Sequence, residues 1–175
     1  MATAAVSPLR LPTGVSIWNA EKLNKASSDV QSALDGLLDD FGVLSAASQG
    51  IRQPMTSSAK FRSSDHRLYV MSDTEGTAGF LKVGSKHLYH YDRKGKVQEI
   101  DPVCALDFYV LERCQRQGIG LSLLNAFLDA ESVEARMVGW DKPTDKSLGL
   151  LSKHYNLTSF VSQPNNFVIF DEHFS

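Results

Sequence analysis

A chain of 175 residues, 42% hydrophobic and 22% charged, is long enough for one well-packed core and short for two independent ones. Eighteen Lys and Arg against twenty Asp and Glu give a net charge of −2, which excludes a strongly polycationic nucleic-acid binder. No apolar run approaches the ~18 residues of a membrane span, and two cysteines, Cys104 and Cys114, are too few for a disulfide scaffold, so an intracellular, reducing setting is expected.

Residues 1–13 are small, polar and broken by Pro8 and Pro12. They read as a flexible lead-in without the basic start and long apolar stretch of a secretory signal, and residues 14–175 read as a single domain. Residues 14–20 alternate as a first strand. Ser28-Asp29-Val30-Gln31 has the form of a capping box, with Ser28 serving the Gln31 amide. Val30, Ala33, Leu34, Leu37, Leu38, Phe41 and Leu44 follow at helical spacing, with Asp35, Asp39 and Asp40 as a solvated opposite face. Residues 45–64, polar and interrupted by Pro54, are expected to be a long loop, and such loops inside compact domains are usually functional or disordered.

Strands are expected over residues 67–72, 77–83 and 87–91, separated by turn-forming breaks at 74–76, 84–85 and 93–95, an antiparallel meander. Residues 103–111 are apolar on both faces except at Asp107, the pattern of a central strand covered on both sides. A helix then carries Ile119, Leu123, Leu124, Phe127 and Leu128 on one stripe. Residues 136–140 form a short strand closed by Asp141-Lys142-Pro143. Thr144 caps a helix to about Tyr155 with Leu148, Leu150 and Leu151 inward, and residues 167–170 make a final strand. The order implies an α/β fold, a mixed central sheet flanked by helices on both faces.

The chemistry starts at Gln115-x-x-Gly118-x-Gly120, between a buried strand and a helix. Backbone N–H groups at a helix N-terminus favour an anion, and glycines let a phosphate approach closely. Arg113 and Arg116 add positive charge there. By itself so loose a pattern is weak evidence, and a helix that merely follows a turn has the same spacing. No Gly-Lys-Ser/Thr follows, which disfavours a P-loop, and the glycine spacing disfavours a dinucleotide fingerprint.

Placed after a meander, this strand–loop–helix resembles the GNAT acetyltransferases, which hold the acetyl-CoA pyrophosphate on such a loop. Longer blocks are similar to one branch, the α-tubulin N-acetyltransferases: Gly79-Phe80-Leu81-Lys82-Val83-Gly84, Cys104-Ala105-Leu106-Asp107-Phe108-Tyr109-Val110, Asp141-Lys142-Pro143-Thr144, Lys153-His154-Tyr155-Asn156-Leu157 and Gln163-Pro164-Asn165-Asn166-Phe167-Val168-Ile169-Phe170. The resemblance runs from about Ile17 to Phe174 and implies a GNAT-like fold acetylating a lysine of α-tubulin inside the microtubule.

It also implies roles. The acid implicated in catalysis matches Asp141, the implicated cysteine matches Cys104, and a required glutamine in the long loop matches Gln49. The acetyl-CoA stretches fall on residues 108–121 and 144–153. They place Phe108, Tyr109, Val110, Gln115, Arg116, Gln117, Gly118, Ile119, Gly120, Leu121, Thr144, Lys146 and Lys153 at the co-substrate. Lys142 stands where Arg is expected, which weakens any bidentate contact, and Ile119 where the loop is often polar. The implied partner is α-tubulin in microtubules, with no metal, nucleic acid or membrane. A monomer is expected, cytoplasmic and on the cytoskeleton, including the axoneme of a cilium or flagellum.

Elementary chemistry fits that reaction. A lysine amine attacks only when neutral, and holding it so at pH 7 costs about 4–5 kcal/mol. Asp141 at a strand end either acts as a base, if burial raises it, or orients the amine by charge while solvent takes the proton. Cys104 in an apolar strand is either a small core residue or a group that lines the substrate or handles a proton. A covalent relay through it needs a base that the sequence does not identify. Direct transfer in a ternary complex is therefore preferred, with a backbone N–H of the 104–111 strand polarising the thioester.

Other residues have plainer readings. His66, His87, His90, His154 and His173 lack metal-ligand spacing. Asp107 is a satisfied structural acid or a second base, and Asn165-Asn166 bond loop backbone or line a groove. Lys60, Arg62, Arg67, Lys82, Lys86, Arg93, Lys94 and Lys96 form a solvated hairpin face or a surface for an acidic partner. The rival functions are a GNAT enzyme for another protein lysine or a polyamine, and a microtubule- or CoA-binding protein with secondary catalysis.

Overall fold

A computed structural model describes residues 11–175; residues 1–10 of the expected lead-in lie outside them. In chain order the elements are β1 (Gly14–Trp18), α1 (Ala20–Lys25), α2 (Ser28–Gln49), α3 (Ser58–Arg62), β2 (Arg67–Asp73), β3 (Gly76–Ser85), β4 (Leu88–Tyr91), β5 (Val97–Ile100), β6 (Val103–Val110), α4 (Ile119–Glu131), β7 (Gly139–Asp141), α5 (Asp145–Tyr155) and β8 (Phe167–Val168). The chain divides into two compact units. The first holds the described residues up to Lys82 with Asp107–Phe127, and the second holds Val83–Leu106 with Leu128–Ser175.

In the first unit β1 pairs antiparallel with β2, from Gly14 opposite Ser72 to Trp18 opposite Leu68. The sheet continues through β3 to β6, where the Leu111 N–H donates to the Ala78 carbonyl at 2.8 Å. Helix α2 supplies the apolar cover. Its Leu34, Leu38 and Phe41 pack with Leu23, Phe61, Leu68, Val70 and Phe80, each worth roughly 1.5–3 kcal/mol of burial. Leu11 joins the same cluster. The Phe41 ring meets Phe80 and Tyr109 edge-on at 5.8 and 6.1 Å.

Three expectations in this unit are corrected. The cap of α2 is Ser27, not Ser28: Ser27 is still extended in ψ and accepts the Val30 N–H, while the Gln31 amide reaches back to the Ala26 carbonyl. Half of the expected loop over 45–64 is helix. Helix α2 continues to Gln49 and stops at left-handed Gly50, and α3 follows a short segment. The apolar stripe fades there because Ser45 and Ala46 occupy its buried positions. Nor are the α2 acids merely solvated. Asp35 receives both arms of Arg62 at 3.0 Å, and Asp39 accepts the Ser58 N–H at 2.7 Å, which together hold α3 against α2.

In the second unit β6 pairs parallel with β7, Cys104 opposite Gly139 and Ala105 opposite Trp140, and β7 pairs antiparallel with β8. Parallel and antiparallel ladders in one sheet make it mixed, as expected. The meander is corrected, since β4 pairs with β5 in a separate two-stranded sheet. Residues 135–137 form a 3-10 turn before β7, and β8 ends at Val168, with Phe170 bridging to Phe160. Thr144 caps α5 as expected, although only Leu151 of its three expected inward leucines is fully buried.

Candidate active site

The glycine loop lies in the first unit. After β6 the chain makes a 3-10 turn over Glu112–Cys114, and the Gln115 side chain ties the loop back to the Val110 carbonyl at 3.0 Å. Arg116 (φ 65°) and Gly118 (φ 77°) are both left-handed, so the chain turns sharply into α4. The first backbone bond of α4 is Ser122 to the Gly118 carbonyl, which leaves the N–H groups of Ile119, Gly120 and Leu121 without an acceptor inside the helix. No acidic residue sits in that first turn, and a side chain at Gly118 would meet only open space. This arrangement fits an anionic diphosphate.

The charges around the loop are unevenly available. Arg113 is paired with Glu75 at 3.0 Å, and the Gln117 amide bonds the Arg113 carbonyl, whereas Arg116 is exposed. Phe108, Tyr109 and Val110 are half-buried at the end of β6, and burial pushes the Tyr109 phenol up, aided by Glu112. Gly118→Val forces a branched residue into the left-handed region at a cost of about 1–3 kcal/mol. Isothermal titration should show the acetyl-CoA Kd rising about tenfold or more; an unchanged Kd would mean that the loop does not hold the cofactor.

The second unit brings Cys104 and Asp141 together. Cys104 is fully buried among Leu88, Ile100, Leu106 and Ile169. Its register partner is Gly139, where an added Cβ would lie 2.7 Å from the sulfur, so the glycine makes room for the thiol. Burial, seconded by the charge of Asp141, pushes that thiol up to about 12, against weaker opposition from Lys86 and the backbone of Gly139 and Lys86. It therefore stays protonated near neutral pH.

Cys104→Ala should keep turnover within about twofold, because a protonated buried thiol supplies no nucleophile, and should cost about 1 kcal/mol of packing. Linkage gives a further readout. An acid raised from its ordinary 9.0 to about 12 binds more protons folded than unfolded above pH about 9. Wild-type stability should thus fall relative to the variant from about pH 9 toward 12, with no such divergence below pH 8, as followed by urea melts. A tenfold loss of turnover would return the thiol to the chemistry.

Asp141 closes β7 opposite Phe167 and is half-buried. Lys142 follows in a left-handed conformation (φ 43°), its N–H bonded to the Asn166 carbonyl. Pro143 and the cap Thr144, which accepts the Ser147 N–H at 3.2 Å, then start α5. Lys146 and Lys153 are exposed on that helix. Asn165 accepts the Phe167 N–H, and Asn166 donates its own N–H to the Gln163 carbonyl, so both shape the turn that faces Lys142.

Gln49 is the last residue of α2 rather than part of a loop. Its amide nitrogen lies 3.0 Å from the Ser45 hydroxyl and 3.4 Å from Asp107. Asp107, only 4% exposed, receives the Ser45 hydroxyl at 2.5 Å and the Thr56 hydroxyl at 2.6 Å. It is a satisfied acid. Ser45 and Thr56 were not among the expected site residues; the available signal was that Leu34, Leu38, Phe41, Ser45 and Gln49 continue one helical stripe.

The basic residues do not form one free face. Lys60 bonds the Pro54 carbonyl, Arg62 pairs with Asp35, buried Lys82 bonds the Met55 carbonyl, and Arg93 pairs with Asp171. His87 sits 2.7 Å from Asp101, which raises it, while burial lowers His90 and His173. No group of three or more metal-ligating side chains occurs among the described residues.

The family described as "GNAT acetyltransferase, Mec-17" matches residues 10–175. A protein of Tetrahymena thermophila named alpha-tubulin N-acetyltransferase is 40% identical over 161 residues, covering 92% of this chain and 40% of its own. One of Aedes aegypti with the same name is 36% identical over 169 residues, covering 94% and 61%. The chain thus spans between 40% and 61% of the length of these relatives. Among solved structures, an aminoglycoside acetyltransferase from an uncultured soil metagenomic sample, in complex with sisomicin, covers 85% of this chain and 91% of its own, with a TM-score of 0.51 and 16% identity. That likeness is one of fold.

Proposed function

The chain belongs to the Mec-17 family of GNAT acetyltransferases, and from that premise we propose that it transfers an acetyl group from acetyl-CoA directly to a lysine side chain of α-tubulin in microtubules. The acceptor is supported by relatives named alpha-tubulin N-acetyltransferase at 36–40% identity along more than nine-tenths of this chain. The observation that carries the direct route is the buried, protonated Cys104 thiol, pushed up to about 12. A thiol in that state accepts no acyl group readily.

Bound acetyl-CoA supplies an activated acyl group with a thiolate leaving group. The chain's own part is to place and orient. The N–H groups of Ile119, Gly120 and Leu121, with Gln115, Arg116, Gln117 and Gly118 shaping the turn, hold the diphosphate. Phe108, Tyr109 and Val110 present strand backbone to the thioester. Thr144, Lys146 and Lys153 are read as further contacts on α5. Asp141 gathers the cationic acceptor amine and orients it as its proton leaves to solvent. Gln49 contacts the acceptor side.

The reading takes residues 14–175 as one acetyltransferase domain, monomeric and cytoplasmic on microtubules, those of axonemes included, without metal, nucleic acid or membrane in its action. Among the described residues no helix is long and apolar enough to cross a membrane. Intact mass of α-tubulin after incubation of assembled microtubules with the protein and acetyl-CoA, followed by peptide mapping, tests it. One acetylated lysine on α-tubulin is expected. Acetyl-CoA binding without tubulin acetylation would move the acceptor elsewhere.

A further inference from the structure

We propose that Asp107 is a positioning residue that fixes the side-chain amide of Gln49, so that the amide oxygen is presented outward to an N–H or ammonium donor of the lysine-bearing acceptor. The inference rests on the reading of Gln49 as a site residue. Its physical basis is the direction of every proton in a small buried network. Asp107 lies at the inner end, and both of its side-chain oxygens act as acceptors. Ser45 gives its hydroxyl proton to one carboxylate oxygen at 2.5 Å, and Thr56 gives its own to the other at 2.6 Å. With its proton committed, the Ser45 oxygen can only accept from a further neighbour.

Gln49 faces both of these acceptors, at 3.0 Å from Ser45 and 3.4 Å from Asp107. Its nitrogen is therefore the atom turned inward. A flipped amide would set its oxygen against two oxygens that have no proton to offer, a repulsion that a buried site does not screen. Among the described residues nothing donates to the Gln49 oxygen, so the fixed amide leaves one acceptor on the outer side. It stands at the end of α2, whose last turn carries no basic residue, and the negative end of a helix favours a cationic donor. The segment carrying Thr56 is held independently, because buried Lys82 bonds the adjoining Met55 carbonyl at 3.0 Å.

Asparagine at position 107 both donates and accepts, so Asp107→Asn keeps the shape and removes the demand for an inward nitrogen. Gln49→Ala, Asp107→Asn and the double variant are compared for kcat/KM toward polymerised tubulin at saturating acetyl-CoA. Each single change should lower it about tenfold, the worth of one hydrogen bond. The double variant should be no more than about twofold worse than Gln49→Ala, since Asp107 acts only through that side chain. A merely structural Asp107 would give losses that multiply, and that result overturns the proposal. If Asp107→Asn does not fold, Ser45→Ala replaces it in the cycle, with the same non-multiplying pattern expected.

A second readout needs no activity. The Gln49 side-chain amide should show a distinct, slowly exchanging NMR resonance in the full chain, and lose it in Asp107→Asn. Retention of that resonance overturns the proposal. Wild-type kcat/KM in Gln49→Ala overturns the site reading of Gln49 and the inference with it. If the protein acetylates no tubulin, the proposed function fails, and the resonance alone still decides whether Asp107 fixes the amide.

Discussion

Asp141→Asn should lower turnover on microtubules by about a hundredfold or more, the range seen when a group that handles or steers a transferred proton is lost, while the Kd for acetyl-CoA stays near that of wild type. The two substrates meet different parts of the chain in the proposed reading, so the effects separate. Asparagine occupies the same volume and keeps the backbone of β7, whose pairing with Phe167 uses only main-chain groups. It leaves the Thr144 cap of α5 in place. What it removes is the negative charge that, on the proposed function, gathers a lysine ammonium and keeps its amine aligned through deprotonation. Stopped-flow or steady-state kinetics should place the loss in kcat, with at most a modest rise in acceptor KM. Unchanged kcat would take Asp141 out of the chemistry, and a parallel loss of acetyl-CoA affinity would mean that the substitution disturbed the start of α5 instead.

The legibility of such a site depends on how each residue is surrounded. Strand β6 was readable because eight consecutive residues with one charge among them match only a strand covered on both faces. Thr144 was readable because a cap follows directly on Lys-Pro, which closes the preceding strand. Cys104 was readable as a buried thiol from its apolar neighbours, and the structure adds the glycine across the ladder that makes room for sulfur. Gln49 was misplaced for a physical reason. A helix whose buried stripe turns polar looks like a loop, and Ser45 and Gln49 are polar because Asp107 faces them. That partner is 58 residues from Gln49 along the chain, beyond the reach of any local pattern. Strand β5 was missed because three of its four residues are exposed. The role of Asp141 came through family resemblance; a lone aspartate before Lys-Pro has the look of an ordinary turn.

Two glycines in one helix should respond in opposite directions to the same substitution, and helix propensity predicts a gain for both. Gly36 and Gly42 lie within α2, where alanine is favoured over glycine by about 1 kcal/mol. At Gly36 an added methyl meets nothing within 4 Å, so Gly36→Ala should stabilise by about 0.5–1 kcal/mol. At Gly42 the methyl carbon would lie 2.0 Å from the backbone carbonyl oxygen of Thr56, an overlap that no rotamer relieves. Helix α2 and the 50–57 segment must separate, and the separation pulls the Thr56 hydroxyl from Asp107 on one side while straining Ser45 on the other. Overpacking of this kind costs about 1–3 kcal/mol, and a buried carboxylate that loses a donor adds about 1–3 more. Gly42→Ala should therefore destabilise by several kcal/mol and lower Tm by roughly 10 °C, at about 2–4 °C per kcal/mol for a chain of this size. Tubulin acetylation should fall with it even below the melting transition, because the displaced segment releases the network that holds Gln49. A Gly42→Ala protein as stable as wild type would show that α2 and the 50–57 segment do not approach as closely as the site requires.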